Sequence, residues 1–164
     1  MRLRGWLVAL LLTSASVAAT GCGPKVDLTK GLQVADVSTG WADAGIVDGQ
    51  NKLVPSISFT LKNVSDKSLV ALDLNAKFYR VTEPTIDWDT DMINIAGSEG
   101  FAAGASSKHF TIDSKQGYKG TDSRIEMLKN SQFVDAKVAL FAKYGNTSWV
   151  RLGDYDVPRQ LIAR

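Results

Sequence analysis

The sequence predicts an all-β fold: an antiparallel β-sandwich of about seven strands with one short crossover helix. Three observations predict it. Apolar and polar residues alternate with a period of two over Ile57–Lys62, Val70–Tyr79 and Val134–Lys143, which is how strands with one face in a core and one towards water read. Four weaker candidates, Leu32–Thr39, Thr85–Ala96, Ser107–Asp113 and Ser148–Val157, bring the total to about seven, with turn residues between most of them. Only one segment carries a helix signature. Ser123 followed three positions later by Glu126 is a capping box, Ile125 and Leu128 with Met127 beside them give an apolar side, and Asn130 closes it.

Taken in chain order, the first element is a processing signal. Arg2 and Arg4 form a positive n-region, Gly5–Ala19 is mostly apolar, and Ala19, Thr20 and Gly21 are small residues suited to cleavage. A spanning helix wants about 20 apolar residues, so this stretch is short for a permanent anchor. Ala19-Thr20-Gly21-Cys22 resembles the lipobox of bacterial lipoproteins, although that family prefers a branched aliphatic residue where Ala19 stands. The resemblance implies cleavage before Cys22, a diacylglyceryl thioether on its thiol and usually an acylated amine. Gly23 rather than Asp after the cysteine implies the outer membrane where the host has one. The alternative is an ordinary secretory cut near Ala18-Ala19. That would leave Cys22, the only cysteine, as a lone thiol in an exported protein.

The chain therefore divides into a signal peptide (1–21), a lipidated cysteine with a tether (22–31) and a β-sandwich domain (32–164). The tether, GPKVDLTKG, reaches about 30 Å when extended, which keeps the domain close to the bilayer. The 19 Lys and Arg exceed the 17 Asp and Glu by two. Those two are Arg2 and Arg4, so the mature chain is formally neutral. No basic run exists, and a nucleic-acid partner is not expected.

Within the domain, Trp41 precedes a turn containing Asp48-Gly49 and reads as a core plug at one end of the sandwich, with a ligand platform as the alternative. Asn63–Ser68 is a polar turn. Gly117-Tyr118 opens the helix-bearing crossover, with Tyr118 packed under it. The stretch ISFTLKNVSDKSLVALDLNAKFYR, followed by FAAGASSKHFTI, resembles bacterial immunoglobulin-like and fibronectin-III-like modules. Asn63 ends a strand, Phe78-Tyr79 is an aromatic pair ending the next, and Gly104 lies in a turn feeding a later strand. The resemblance covers roughly Val54 to Ile112. It implies an immunoglobulin-like sandwich and a role in binding or spacing other proteins, a role that fold analogy alone cannot assign.

Catalytic and metal chemistry are weakly supported. His109 is the only histidine; it stands in a predicted strand without a G-x-S-x-G elbow, and an exposed strand residue is the favoured reading. Zinc needs three or four ligands, which one histidine and no free thiol do not supply. Asp87, Asp89 and Asp91 open like an EF-hand calcium loop, but Met92 stands where that loop needs Gly and Ser98 where it needs Glu. The favoured reading is an acidic strand edge that discourages edge pairing, the three carboxylates sharing one face; a calcium site is the alternative. Asn63-Val64-Ser65 and Asn146-Thr147-Ser148 match the glycosylation sequon but read better as turns. Asp156 and Arg159 read as surface charges. Neither a cofactor nor an enzymatic activity is expected.

The last hairpin allows a sharper inference. A two-residue loop at Gly145-Asn146 would set Leu140 opposite Arg151 and Ala142 opposite Trp149. A three-residue loop sets Leu140 opposite Leu152 and Ala142 opposite Val150, which keeps the apolar set together. The second register places Phe141, Lys143, Trp149 and Arg151 on the outer face, where aromatics among cations suit a contact patch. Cation–π packing of Arg151 or Lys143 on Trp149, or a helix over this face, is the alternative. The expected function is a lipid-anchored, non-catalytic binding or assembly module of the cell envelope with a protein partner. The alternative is a small-ligand or carbohydrate binder using Trp41, Trp88 or Trp149; an envelope hydrolase is a distant third.

Overall fold

The computed structural model describes residues 25–163. Cys22 and the predicted signal segment lie outside them. The described chain forms α1 (Leu28–Gly31), β1 (Leu32–Val47), β2 (Gln50–Asn63), β3 (Leu72–Arg80), β4 (Glu83–Ala96), β5 (Phe110–Asp113), β6 (Tyr118–Gly120), α2 (Arg124–Lys129), β7 (Ala136–Tyr144) and β8 (Val150–Val157). Two antiparallel sheets result. One has the order β1-β2-β5, with β6 also paired to β2; the other is β4-β3-β7-β8. Lettered as immunoglobulin domains are, they read A-B-E and C′-C-F-G, with strand E broken into β5 and β6. The predicted immunoglobulin-like sandwich of about seven strands is therefore the fold, at eight strands when the broken one is counted twice.

The alternation seen in the sequence is the alternation of burial. Ile57, Phe59 and Leu61 from β2 meet Leu72, Leu74, Ala76 and Phe78 from β3 and Val138, Leu140 and Ala142 from β7, all sealed from solvent. Val70 departs from the prediction: it is exposed, and β3 begins only at Leu72. Trp41 is the expected core plug. It is fully buried, with its ring edge-on to Phe133 at 4.5 Å between centroids. Its position rules out the ligand-platform reading.

Local chemistry explains the turns and edges. The β1–β2 hairpin turns on Asp48-Gly49, both at positive φ (53° and 77°), which a two-residue type I′ turn requires. Pro55 sits mid-strand in β2, between the segment paired to β6 and the segment paired to β5. Its missing N–H costs no ladder bond there. The edge strand β1 is interrupted by two register shifts and is partly covered by the C-terminal tail. Trp41 N–H donates to Gln160 O (2.8 Å), and Ile162 N–H donates to Trp41 O (3.0 Å). Bulges and covered edges discourage intermolecular pairing.

The helix prediction holds with one reversal. Ser123 caps α2, its hydroxyl accepting from Glu126 N–H, and Asn130 ends it. Met127 and Leu128 are buried, whereas Ile125 faces solvent. A helix of six residues offers the core little more than one turn, and the adjacent pair Met127-Leu128 occupies it. Gly117-Tyr118 does not simply open this crossover. Tyr118 begins β6, opposite Leu53, and its ring packs on Phe133 at 4.7 Å.

The predicted tether is shorter than its sequence suggests. Asp27 caps α1, a one-turn helix that the sequence pattern does not signal, and Leu28 is buried in the core. Val26 N–H donates to the Tyr144 hydroxyl (2.5 Å). Residues 26–31 thus belong to the folded unit, since a buried leucine and a long-range hydrogen bond hold them against it.

Arg159 is a clamp, not the plain surface charge expected. Its guanidinium donates to both carboxylate oxygens of Asp135 (2.6 and 2.9 Å) and to the carbonyls of Asn130 and Phe133 (3.0 and 3.1 Å), and it stacks 5.4 Å from the Phe133 ring centroid. Arg159 holds the Asp135 carboxyl below the ordinary range, and Arg124 does the same to Asp43. A depressed folded pKa contributes stability above the unfolded value near pH 4, and that contribution is lost as pH falls through the folded value. The urea midpoint is therefore expected to drop as pH falls below about 4, and Asp135→Asn to flatten that drop. Both partners are partly exposed, so the difference should stay near 1 kcal/mol or less, about one step in a series of urea titrations against pH. An unchanged acid limb in the variant would contradict the assignment.

Candidate binding face

The hairpin register near its tip is the one the apolar pattern prefers. Ala142 pairs with Val150 and Phe141 with Arg151. The tip is a left-handed Gly145 (φ 49°), followed by Thr147, whose hydroxyl accepts from Tyr144 N–H and donates to Tyr144 O. Further along, Leu140 faces Gly153, not the expected Leu152, because a bulge intervenes. The sequence carried a signal for it. Apolar residues in β8 run Val150, Leu152, then Tyr155, Val157, a change of parity. Without the bulge, Asp154 and Asp156 would point into the core; with it they pair with Ala139 and Lys137 on the outer side.

Phe141, Lys143 and Arg151 therefore share the outer face of the β4-β3-β7-β8 sheet, and Trp149 stands beside Lys143 at the hairpin-tip corner. Neither aromatic is sealed inside; Trp149 is 37% exposed and Phe141 half-buried. Phe141 is flanked by two cations, with Lys77 Nζ 5.8 Å and the Arg151 guanidinium 5.5 Å from its centroid. Lys143 Nζ lies 5.0 Å from the Trp149 centroid. The cation–π packing considered from the sequence is thus present, but Arg151 stacks on Phe141, not Trp149. No helix was found over this face among the described residues: α2 lies against β2 of the other sheet, and Leu28 of α1 is in the core.

Two further residues complete the face. Cross-strand pairing aligns Met92, Asn75, Phe141 and Arg151 in one row over four strands. Met92 is 63% exposed, while Asn75 is only 8% exposed and its Oδ1 has no hydrogen-bond partner. A buried acceptor without a donor costs about 1–3 kcal/mol. The period of two puts Asn75 on the solvent face, where the adjoining strands β4 and β7 flank it and leave it nearly covered.

The cations of this face are matched by carboxylates. Lys77 binds Asp87 (2.6 Å), Lys143 binds Asp73 (3.7 Å), Lys137 binds Asp156 (3.1 Å), and Arg151 pairs with Asp154. The Asp87 hydrogen bond raises the Lys77 pKa, and desolvation raises that of Tyr79 beside it. Phe141 and Met92, with Asn75 between them, stand among paired charges of both signs, not in a field of one sign.

The three aspartates do not form a site. They lie in β4, an edge strand, as the acidic-edge reading expected. The predicted shared face is wrong, because a register shift at Trp88 separates them. Asp87 pairs with Tyr79 on the outer side, whereas Asp89 and Asp91 pair with Phe78 and Ala76, whose side chains point inwards. Asp89 stitches the two sheets, accepting from Ser114 Oγ (3.1 Å) and Lys115 N–H (2.5 Å), and Asp91 binds Lys115 Nζ (3.4 Å). Among the described residues no group of three His, Cys, Asp or Glu side chains is placed to hold a metal.

His109 is exposed and lies just before β5, outside the strand predicted for it. Trp88 is half-buried under Arg80, whose guanidinium is 5.1 Å from its centroid. Trp41, sealed in the core, packs against Trp88 at 6.5 Å between ring centroids, and Trp149 stands apart from both beside the hairpin tip. No helix among the described residues is long and apolar enough to cross a membrane.

No family model and no curated protein matches the chain. Among solved structures, the X-ray structure of Northeast Structural Genomics Consortium target SoR45 is similar at 11% identity and a TM-score of 0.41, covering 80% of this chain and 89% of that one.

Proposed function

We propose that the protein is a lipid-anchored, non-catalytic binding module of the bacterial cell envelope that contacts a protein partner through the outer face of its β4-β3-β7-β8 sheet. The observation that carries this reading is the row Met92–Asn75–Phe141–Arg151. It combines an exposed apolar residue, an aromatic held between two cations and a buried acceptor without a donor. Interface centres are apolar and aromatic with polar rims, and arginine and aromatic anchors dominate their energetics. The charge pairs around the row supply such a rim. The anchor rests on the lipobox-like Ala19-Thr20-Gly21-Cys22.

A photo-crosslinking residue placed at Met92 in living cells tests the partner. It is expected to trap one discrete protein, with the same residue at Thr111, on the outer side of the other sheet, trapping none. Phe141→Asp should then abolish the Met92 adduct while leaving the thermal midpoint within a few degrees. Equal adducts from positions 92 and 111 would contradict the assignment of this face. For the anchor, Cys22→Ala is expected to move the protein to the soluble fraction and remove fatty-acid labelling; retention of both would overturn it.

A further inference from the structure

We propose that the end of the sandwich formed by α1, the Val64–Ala71 turn and the Gly145–Trp149 hairpin tip rests on the membrane surface, with Val64, Val70 and Trp149 entering the headgroup layer. The proposal rests on the lipid anchor at Cys22 and adds an orientation to it.

The argument is one of reach. The sequence alone allowed about 30 Å between anchor and domain. The structure removes most of that, because Val26 is tied to Tyr144 and Leu28 is buried. Only four peptide steps separate Cys22 from Val26, which is at most about 14 Å of extended chain. A thioether-linked lipid seats Cys22 at the bilayer surface, so Val26 is held within that radius of it and the end of the sandwich that carries Tyr144 lies next to the bilayer.

Those neighbours form one connected platform. Val64 N–H donates to Gly31 O (2.9 Å), joining the turn to α1. Gly145 N–H donates to Val70 O (3.0 Å), joining the hairpin tip to the same turn. Val64 and Val70 are 47% and 46% exposed, and Trp149 stands beside Lys143 at the corner. Lys25, Lys30 and Lys67 surround Val64 together with Asp27 and Asp66. Tryptophan and lysine at such a boundary place their apolar parts towards the acyl region and their polar ends in the headgroups. Exposed apolar residues also occur at the far end, at Ile46 and Val81. What distinguishes the two ends is the anchor, which only one of them can reach. In this orientation the strands stand away from the membrane, and the Met92–Arg151 row is presented sideways to partners in the envelope.

The test uses the mature lipidated protein in phosphatidylethanolamine and phosphatidylglycerol vesicles. With the Cys22 thiol consumed by lipid, Val70→Cys and, separately, Thr82→Cys at the opposite end each give a single thiol for an environment-sensitive fluorophore. With doxyl-labelled lipid as quencher, the label at 70 should lose on the order of half its emission, as expected for a group seated about 5–10 Å into the boundary. The label at 82 should be unaffected. Equal emission from both labels, in protein that still floats with the vesicles, overturns the orientation and leaves the anchor standing. Protein that fails to float overturns the anchor and this proposal together. If a protein, not lipid, covers this end, both labels stay bright in these protein-free bilayers.

Discussion

Gly117→Ala is expected to lower the thermal midpoint by about 10 °C or more. A Cβ at this position would stand 2.1 Å from Leu53 O and 2.8 Å from Val54 Cγ1. The obstacle is backbone in the central strand β2, which is held on both sides by ladder bonds, so it has no side-chain rotation with which to give way. Either β6 leaves β2, or β2 shifts and carries Leu53 and Val54 with it. The first route also draws Tyr118 off Phe133 and loosens the aromatic group that seals Trp41. Overpacking of a tight site costs about 1–3 kcal/mol and occasionally more. For a domain of this size, each kcal/mol shifts the midpoint by about 4 °C, and a clash with backbone belongs at the upper end of the cost, which gives about 10 °C. Gly97→Ala is the matched control, since its Cβ would meet only the flexible end of Glu99. Thermal denaturation of the two variants decides the matter: midpoints equal to within a degree would show that β6 yields without cost and that the close approach is not a constraint.

Asn63→Leu should destabilise the protein by about 3 kcal/mol, read as a lower urea midpoint at unchanged slope. Asn63 ends β2 with its side chain fully buried. Its amide Nδ2 donates to the carbonyls of Phe101 and Lys67 (both 2.8 Å) and Ala102 (3.1 Å). Its Oδ1 accepts from Ser65 N–H and Ser65 Oγ (3.1 and 2.7 Å). One side chain thus joins the corner that leads from the first sheet to the second to the loop that returns from the second. Leucine matches its branched shape but satisfies none of these groups, and each buried group left unpaired costs about 1–3 kcal/mol. Asn63→Asp separates donor loss from packing. It keeps an acceptor for Ser65 but turns a carboxylate on three carbonyl oxygens, which raises its pKa. Its stability should recover as pH falls and the carboxyl is protonated, opposite in sign to the acid limb of the parent protein. A variant as stable as the parent at neutral pH would remove Asn63 from this role.

The two residues differ in how far they could be read from sequence. Asn63 is visible in the sequence as a strand-ending asparagine, but read alone it is a turn residue. Its bonds to residues about forty positions away depend on how two corners of the sandwich meet. Gly117 was visible only as an opening of the crossover, because the carbonyl that excludes its side chain belongs to Leu53. The binding face shows the same division. The period of two placed Phe141, Lys143 and Arg151 together, since alternation is local geometry. Met92 and Asn75 joined them only through strand pairing, and the Asp87–Asp91 group was split by a bulge that local alternation does not register. The start of the folded unit follows the same division: GPKVDLTKG has a polar composition, yet Leu28 finds a place in the core and Val26 a partner in Tyr144.

By itself the sequence determined the all-β class, the two-sheet arrangement, the Trp41 plug, the capped helix and the register at the tip of the last hairpin. These follow from side-chain period, capping chemistry and the need to keep one apolar face together, all of which act over a few residues. Only the tertiary structure decided which charges face each other, where the bulges fall, that Arg159 clamps Asp135, and how closely the folded unit begins behind Cys22. Those outcomes depend on contacts between residues far apart in the chain, whose geometry is set by the packing of one sheet on the other.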